Sequence, residues 1–509
     1  MSQSDQHRAS PDPFGSDVPT DDLRARSVRG GTHATAAQVA RFGIQMLGLV
    51  VLARLLDPED FGLLAMVAAV TGFLGMFKDA GLPAATIERD TIRNEEISAL
   101  FWINASLGVL LAGAVAALSG PLAWFYGDER LGTLALVLGV GFVFQGLEVQ
   151  HEALLKRRMR VSVVAWSRTA AQVVGTAAAI AAAWAGWGYW ALAVRGLIAG
   201  FLSMVLLWIA MPWAPLPPWK ARGAHSFVRF GGYLTAFNAV NHVGRNIDDI
   251  LIGRFFGGAA LGLYSKAYAL LLMPVRMINT PISNVAIPAL SRLRSEPRRL
   301  RSYYYKALSM VVALSMPIVA CLAALTDPFV AVVLGERWTE VGSIFRILAL
   351  TAFIGTFNVA TGWVFVTLGK VREQLISGTL NSCGVVLSVF VGVQYGIEGV
   401  GWALLVCALC QRGPTIAYCY RGTPFTLQGL AGVLWRPAAA SVIAGVGTHG
   451  FAVWIGLSMG PAVVLLLSLP VFAALYVCSL LGLPGGQALV SEVLGHLRLL
   501  RNQPDEVPA

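Results

Sequence analysis

The sequence predicts an all-α, polytopic membrane protein with about fourteen transmembrane helices, and three observations carry that expectation. Only 13% of the 509 residues are charged, 56% are hydrophobic, and the mean hydropathy is +0.65. A water-facing globular surface usually needs about a quarter of its residues charged. The apolar residues fall in runs about twenty long, the length at which a helix crosses a hydrocarbon core of about 30 Å. The loops between these runs alternate in charge.

Residues 1–33 are rich in Ser, Asp, Pro and Arg, contain no apolar run, and read as a disordered cytoplasmic tail. No charged n-region followed by an apolar h-region is present, so the first membrane helix is expected to do the targeting. The apolar segments span approximately 34–56, 61–81, 97–120, 131–154, 161–185, 187–212, 228–252, 261–287, 303–325, 341–368, 374–395, 398–420, 434–457 and 461–482. A second cytoplasmic tail is expected over 484–509.

With the N-terminus inside, one set of loops holds Lys156, Arg157, Arg158 and Arg160, then Lys220, Arg222 and Arg229. It continues with Arg292, Arg294, Arg298, Arg299 and Arg301, then Lys370 and Arg372, then Arg412 and Arg421. The opposite set holds Asp57, Glu59 and Asp60, then Asp128 and Glu129, then Asp327, Glu336 and Glu340. Arg130, Arg254 and Arg337 are its basic exceptions. Basic loops stay in the cytoplasm, so both termini are expected there, in a membrane of the inner-membrane type. The net charge of +10 thus follows membrane topology, and no nucleic-acid surface is expected.

The chain repeats itself. Val51-Leu52-Ala53-Arg54-Leu55-Leu56 and Phe61-Gly62-Leu63 return 200 residues later as Leu251-Ile252-Gly253-Arg254-Phe255-Phe256 and Leu261-Gly262-Leu263. Tyr189-Trp190-Ala191-Leu192 returns as Gly401-Trp402-Ala403-Leu404. Two six-helix lobes, 34–213 and 228–421, are expected to be related by a pseudo-twofold axis along the membrane normal, with two further helices over 434–483. Two such halves around a cleft form a transporter architecture.

Polar groups inside membrane helices are costly and normally face the bundle interior or a wet cavity. Asn238, Asn241, His242, Arg245 and Asp249 form one stripe on the seventh segment, and Gln38, Arg41 and Gln45 take the matching positions on the first. Bundle-stabilising hydrogen bonds are the plainer alternative for such stripes. Arg41, Lys78, Arg168, Arg195, Arg245, Lys266 and Arg276 lie within the spans, against fewer acids: Asp79, Glu148, Asp248 and Asp249. The cationic excess makes Arg41, Arg168, Arg195, Arg245, Lys266 and Arg276, with Gln38, Gln45, Asn238 and Asn241, the candidate substrate ligands. A guanidinium fork suits phosphate and pyrophosphate oxygens. Asp79, Glu148 and Asp249 are the candidate ion-coupling groups.

The six cysteines sit in or beside apolar runs without zinc-ligand company, so no metal and no cofactor is expected. No phosphate-binding Gly-x-x-x-x-Gly-Lys-Ser/Thr, His-Glu-x-x-His or Gly-x-Ser-x-Gly motif is present. Without an ATP-hydrolysing domain, energy is expected from an ion gradient, the membrane potential or the substrate's own gradient.

The run Val51-Leu52-Ala53-Arg54-Leu55-Leu56-Asp57-Pro58-Glu59-Asp60-Phe61-Gly62-Leu63-Leu64 resembles the first-loop signature of bacterial polysaccharide exporters. So do Phe230-Gly231-Gly232-Tyr233-Leu234-Thr235, Asn246-Ile247-Asp248-Asp249, Tyr264-Ser265-Lys266-Ala267-Tyr268, Ile287-Pro288-Ala289-Leu290 and Leu334-Gly335-Glu336-Arg337-Trp338. Over roughly residues 35–480 the chain is similar to the polysaccharide transporter family of the multidrug/oligosaccharidyl-lipid/polysaccharide (MOP) superfamily, nearest to colanic-acid-type exporters. The resemblance implies a V-shaped pair of lobes and alternating access, coupled to protons or sodium. It implies a flippase for undecaprenyl-pyrophosphate-linked oligosaccharide repeat units in exopolysaccharide or lipopolysaccharide synthesis. Its expected partners are that lipid-linked oligosaccharide, membrane lipids, a coupling ion and the polysaccharide assembly machinery.

Three alternatives stand beside it. A multidrug or metabolite exporter favours acidic cavity residues, against the basic excess here. A peptidoglycan-precursor flippase shares fourteen helices and a basic cavity. A membrane polysaccharide polymerase or ligase needs a larger outer loop than any expected in this chain.

Overall fold

The computed structural model describes residues 20–78, 82–88, 92–220 and 225–487; over 20–32, 225–245 and a few single positions it describes the backbone alone. Every regular element among the described residues is helical. The first seven are α1 (Thr20–Leu55), α2 (Pro58–Gly75), α3 (Leu82–Glu88), α4 (Asn94–Tyr126), α5 (Arg130–Arg157), α6 (Val161–Trp184) and α7 (Trp190–Ala210). A long α8 (His225–Arg292) leads to α9 (Pro297–Ala324), α10 (Thr326–Val333), α11 (Val341–Gly355) and α12 (Val359–Thr367). The chain continues as α13 (Val371–Gly392), α14 (Gly396–Tyr420), α15 (Leu427–Gly456) and α16 (Pro461–Gly482).

Among the described residues, eleven helical runs are long and apolar enough to cross a membrane. The expected fourteen segments map onto them with three differences. Asn246–Arg292 takes in part of 228–252 and all of 261–287, and Arg372–Tyr420 covers 374–395 and 398–420. Val161–Trp184 is helical but stands outside the eleven, since Arg168, Gln172, Thr169 and Thr176 dilute its apolar character. The helix of α1 also begins at Thr20, upstream of the first apolar residues.

The chain chemistry explains the breaks. Pro58 lacks an N–H and its ring disfavours helix at the residue before it, so α1 stops at Leu55 and α2 starts on the proline. The Asp60 carboxylate accepts the Asp57 N–H at 3.1 Å, satisfying a donor at the start of α2. At the matching place in α8, Gly257 interrupts the helix with φ +79° and ψ −176°. Pro274, Pro281 and Pro288 lie within α8, as the neighbours of a membrane helix permit.

Contacts divide the chain into two compact units, 1–262 and 263–509. In the first unit, α4 packs most extensively on α5, α6 on α7, and α1 on α6. The α4–α5 crossing is close because of its glycines. A Cβ on Gly108 would meet the Phe142 carbonyl oxygen at 2.6 Å, and one on Gly146 would meet that of Asn104 at 2.6 Å. In the second unit, α9 packs on α15, α15 on α16, and α13 on α14. Its core surrounds Tyr304, Trp363, Tyr420 and Phe425. The hydroxyls of Tyr304 and Tyr420 hydrogen-bond at 2.9 Å. The last two helices are thus part of the second unit, and Tyr476 of α16 donates to the Ala313 carbonyl of α9 at 2.9 Å.

Candidate functional site

A polar cavity of about 250 Å³ opens in the first unit, lined by Lys78, Pro83, Gln145, Glu148, Val149, Glu152, Ala153, Lys156 and Arg168. Helix periodicity assembles one wall, because Glu148, Glu152 and Lys156 follow at intervals of four on α5 and share a face. Arg168 reaches it from the second turn of α6. Its Nη2 lies 2.5 Å from Glu152 Oε2 and 3.4 Å from Glu148 Oε1. Lys156 Nζ lies 2.7 Å from Glu152 Oε1. The Ser203 hydroxyl of α7 donates to Glu148 Oε2 at 2.9 Å. Glu148 is 8% exposed, whereas the Arg168 side chain keeps 36% of its surface open. With three cations against two carboxylates, the cavity carries an unbalanced positive charge that a phosphate group can meet.

The other expected site residues are more scattered. Gln38, Arg41 and Gln45 are all exposed on α1, so the stripe read from their spacing forms one open face. Arg195 of α7 is half-buried; with the Gln172 amide oxygen turned toward it, that oxygen accepts from Nε at 3.3 Å and Nη2 at 2.7 Å. Asp249 is half-buried on α8. In the second unit Lys266 is half-buried and Arg276 exposed. Asp79 and Arg222 lie outside the described residues, as do 1–19 and 488–509 and the side chains of Arg229, Asn238, Asn241, His242 and Arg245. The structure therefore brings Arg168 and Glu148 together, and the remaining described candidates are not among the residues that line that cavity.

Sequence reasoning missed the partners that complete the cavity. Glu152 and Lys156 were legible as a four-residue rhythm continuing from Glu148, but both fall at the end of an apolar run, where charge reads as loop. Ser203 carried no signal. Arg346, inside the 341–368 segment, was also passed over; its Nη2 donates to both carboxylate oxygens of Asp327. That pair and His449 edge an apolar cavity of about 800 Å³ between α9, α11 and α15.

The basic exceptions Arg130 and Arg254 stand on defined contacts. Arg130 donates to Asp128 through Nε at 3.0 Å and Nη2 at 2.7 Å, and also to Glu59. The guanidinium hydrogen bonds hold the Asp128 carboxyl below the usual carboxylate range. Arg254 lies over the Phe125 ring, 5.7 Å from its centre. Among the described residues, no group of three or more His, Cys, Asp or Glu side chains is placed to hold a metal ion.

A family model described as "Polysaccharide biosynthesis protein" matches residues 51–343. The chain is 29% identical to the teichuronic acid biosynthesis protein TuaB of Bacillus subtilis (strain 168), over 72% of this chain and 76% of that one. It is 24% identical to the lipopolysaccharide biosynthesis protein WzxC of Escherichia coli (strain K12), over 69% and 71%. Among solved structures it is similar to the lipid II flippase MurJ in an inward closed conformation, with a TM-score of 0.68 at 12% identity, covering 87% of this chain and 98% of that one. It is also similar to an inward-facing multidrug resistance MATE family transporter of the MOP superfamily, with a TM-score of 0.59 at 16% identity, covering 75% and 96%. At such identities the likeness shows the fold, which is that of the MOP superfamily.

Proposed function

Because the chain belongs to the polysaccharide biosynthesis protein family, we propose that it flips undecaprenyl-pyrophosphate-linked glycan repeat units to the periplasmic leaflet of a bacterial inner membrane. It is a transporter and not an enzyme, and its cargo serves surface polysaccharide synthesis. Relatives named for teichuronic acid, lipopolysaccharide and succinoglycan biosynthesis support that cargo class.

The observation that carries the reading is the Arg168 cavity. Arg168 lies seven residues into α6, about 10 Å along the axis from its start. The helix follows the basic stretch Lys156 to Arg160, which runs from the last turn of α5 into the loop and which the positive-inside rule assigns to the cytoplasm. A cationic pocket at that depth faces the level where a lipid pyrophosphate sits in the inner leaflet. Lys78, Lys156 and Arg168 bind the headgroup there, and Arg41, Arg195, Arg245, Lys266 and Arg276 offer further cationic steps. Gln38, Gln45, Asn238 and Asn241 supply neutral hydrogen-bonding groups. Movement proceeds by alternating access of two duplicated six-helix halves, with no ATP hydrolysis and with both termini in the cytoplasm.

Deletion of the gene followed by lipid extraction tests this. A completed repeat unit on undecaprenyl pyrophosphate accumulates on the cytoplasmic leaflet and exported polymer disappears. Normal polymer without lipid-linked accumulation would refute the reading. Build-up of peptidoglycan precursor instead would favour the other lipid-pyrophosphate flippase class.

A further inference from the structure

Glu148 and Glu152 stand one turn apart on α5 and face the same guanidinium, yet their situations differ. Glu152 holds a second cation, with Lys156 Nζ at 2.7 Å. Glu148 is buried, and apart from Arg168 its close partner is the neutral Ser203 hydroxyl at 2.9 Å. The groups facing Glu148 are Arg168 from α6, Ser203 from α7, Glu152 from its own helix, and Lys78, which lines the cavity from beyond the end of α2. From α3 the cavity wall receives Pro83, which is not ionisable.

We infer that an anionic headgroup and a proton load this site together: phosphate oxygens take Arg168, and Glu148 takes up one proton. Before a headgroup binds, Glu148 and Glu152 are the counter-charges of Arg168. When a pyrophosphate arrives it draws Arg168 and Lys78 to itself. Glu152 keeps the Lys156 ammonium as its partner. Glu148 keeps only Ser203, and an ionised carboxylate in a buried, unpaired state is costly enough that it protonates instead. The proton comes from cytoplasmic water and returns there if the headgroup leaves, so no other reactant is required. Headgroup and proton bind as companions, which excludes an exchange in which a proton entering Glu148 expels the headgroup. The inference rests on the assignment of Arg168 as a headgroup ligand.

The test uses the full chain in nanodiscs of zwitterionic lipid with farnesyl pyrophosphate as a soluble prenyl pyrophosphate, and farnesol as the uncharged control. Affinity is measured against pH for the natural protein and for Glu148→Gln, whose side chain keeps the shape but cannot titrate. Linkage fixes the sign. The bound state holds the proton more tightly than the free state, so binding weakens as pH rises through the range where free Glu148 is ionised. The natural protein loses about tenfold more affinity per pH unit than Glu148→Gln, the slope of one proton. Calorimetry on the natural protein alone, in buffers of different ionisation enthalpy and at a pH where the pyrophosphate is fully ionised, shows uptake of about one proton. This second measurement holds even if Glu148→Gln fails to fold. Equal slopes in the two proteins, or no proton uptake, overturn the coupling while leaving headgroup binding intact. Binding of farnesyl pyrophosphate to Arg168→Gln as tight as to the natural protein overturns the assignment of Arg168, and the coupling with it.

Discussion

Gly62 of α2 lies against the backbone of Gly258 in α8, so closely that a Cβ on Gly62 would overlap the Gly258 carbonyl oxygen. The contact has a reciprocal. A Cβ on Gly262 would overlap the carbonyl oxygen of Pro58. Positions 58 and 62 correspond to 258 and 262 in the sequence repeat, so each glycine of the pair meets the partner of the other. The repeated Gly-Leu of the two copies is therefore a packing element, where the lack of a side chain lets two helices approach.

Replacing Gly62 or Gly262 by alanine is expected to destabilise the protein by about 1–3 kcal/mol, because the backbone must move to admit a methyl group. Gly113, on an open face of α4 with nothing within 4 Å of an added Cβ, is the control. Gly113→Ala should be neutral or slightly stabilising, since alanine is the better helix former. Thermal unfolding in detergent gives the ranking: both G62A and G262A melt below the natural protein, and G113A does not.

The Arg168 pairs predict a split between two replacements. Arg168→Gln leaves Glu148 and Glu152 without their shared cation, at a cost of about 1–3 kcal/mol for a partly exposed pair. Glycan export should fall by more than the remaining folded protein accounts for. Arg168→Lys restores the charge but not the fork, and should recover stability more fully than transport. Quantifying membrane-inserted protein beside exported polymer checks this.

Asp128 predicts a pH dependence. Its folded carboxyl titrates below the ordinary value of 3.8 because Arg130 hydrogen-bonds to the ionised form. A depressed folded pKa gives stability that is present above the unfolded value and is lost as pH falls through the folded one. Asp128→Asn should therefore melt below the natural protein at neutral pH. The gap should close once the pH drops below about 4, toward the lowered folded pKa.

Thr426 caps α15, its hydroxyl accepting the Gly429 N–H at 3.1 Å. Thr426→Ala should cost about 1 kcal/mol, and Thr426→Ser should restore most of it, since serine caps as well. Chemical unfolding followed by the tryptophans of the second unit is the readout.

Much of the fold was legible because bilayer thickness sets segment length. What escaped the sequence has local causes. Within α8 the two apolar segments of the sequence stand on either side of Gly257, whose dihedral angles break the helix. Val341–Thr367 reads as one segment, yet the chain turns between Gly355 and Val359, giving α11 and α12. In the cavity, spacing placed Glu148 and Arg168 within the membrane but could not show that they face each other, because that depends on how α5 and α6 rotate against one another. The sequence makes Arg168 a candidate substrate ligand without naming its partners, and the two carboxylates become visible only once α5 is seen to carry Glu152 on the same face.

Reconstitution shows transbilayer movement of a pyrophosphate-linked glycan without the intervening steps of polymer export. Purified protein is placed in proteoliposomes carrying a fluorescent undecaprenyl-pyrophosphate oligosaccharide, and a glycosidase added outside reports which leaflet holds the sugar. The protected inner-leaflet fraction should become cleavable with the natural protein and stay protected with Arg168→Gln or without protein. Protection that persists with the natural protein, under an imposed membrane potential or pH gradient of either sign, would contradict the flippase reading.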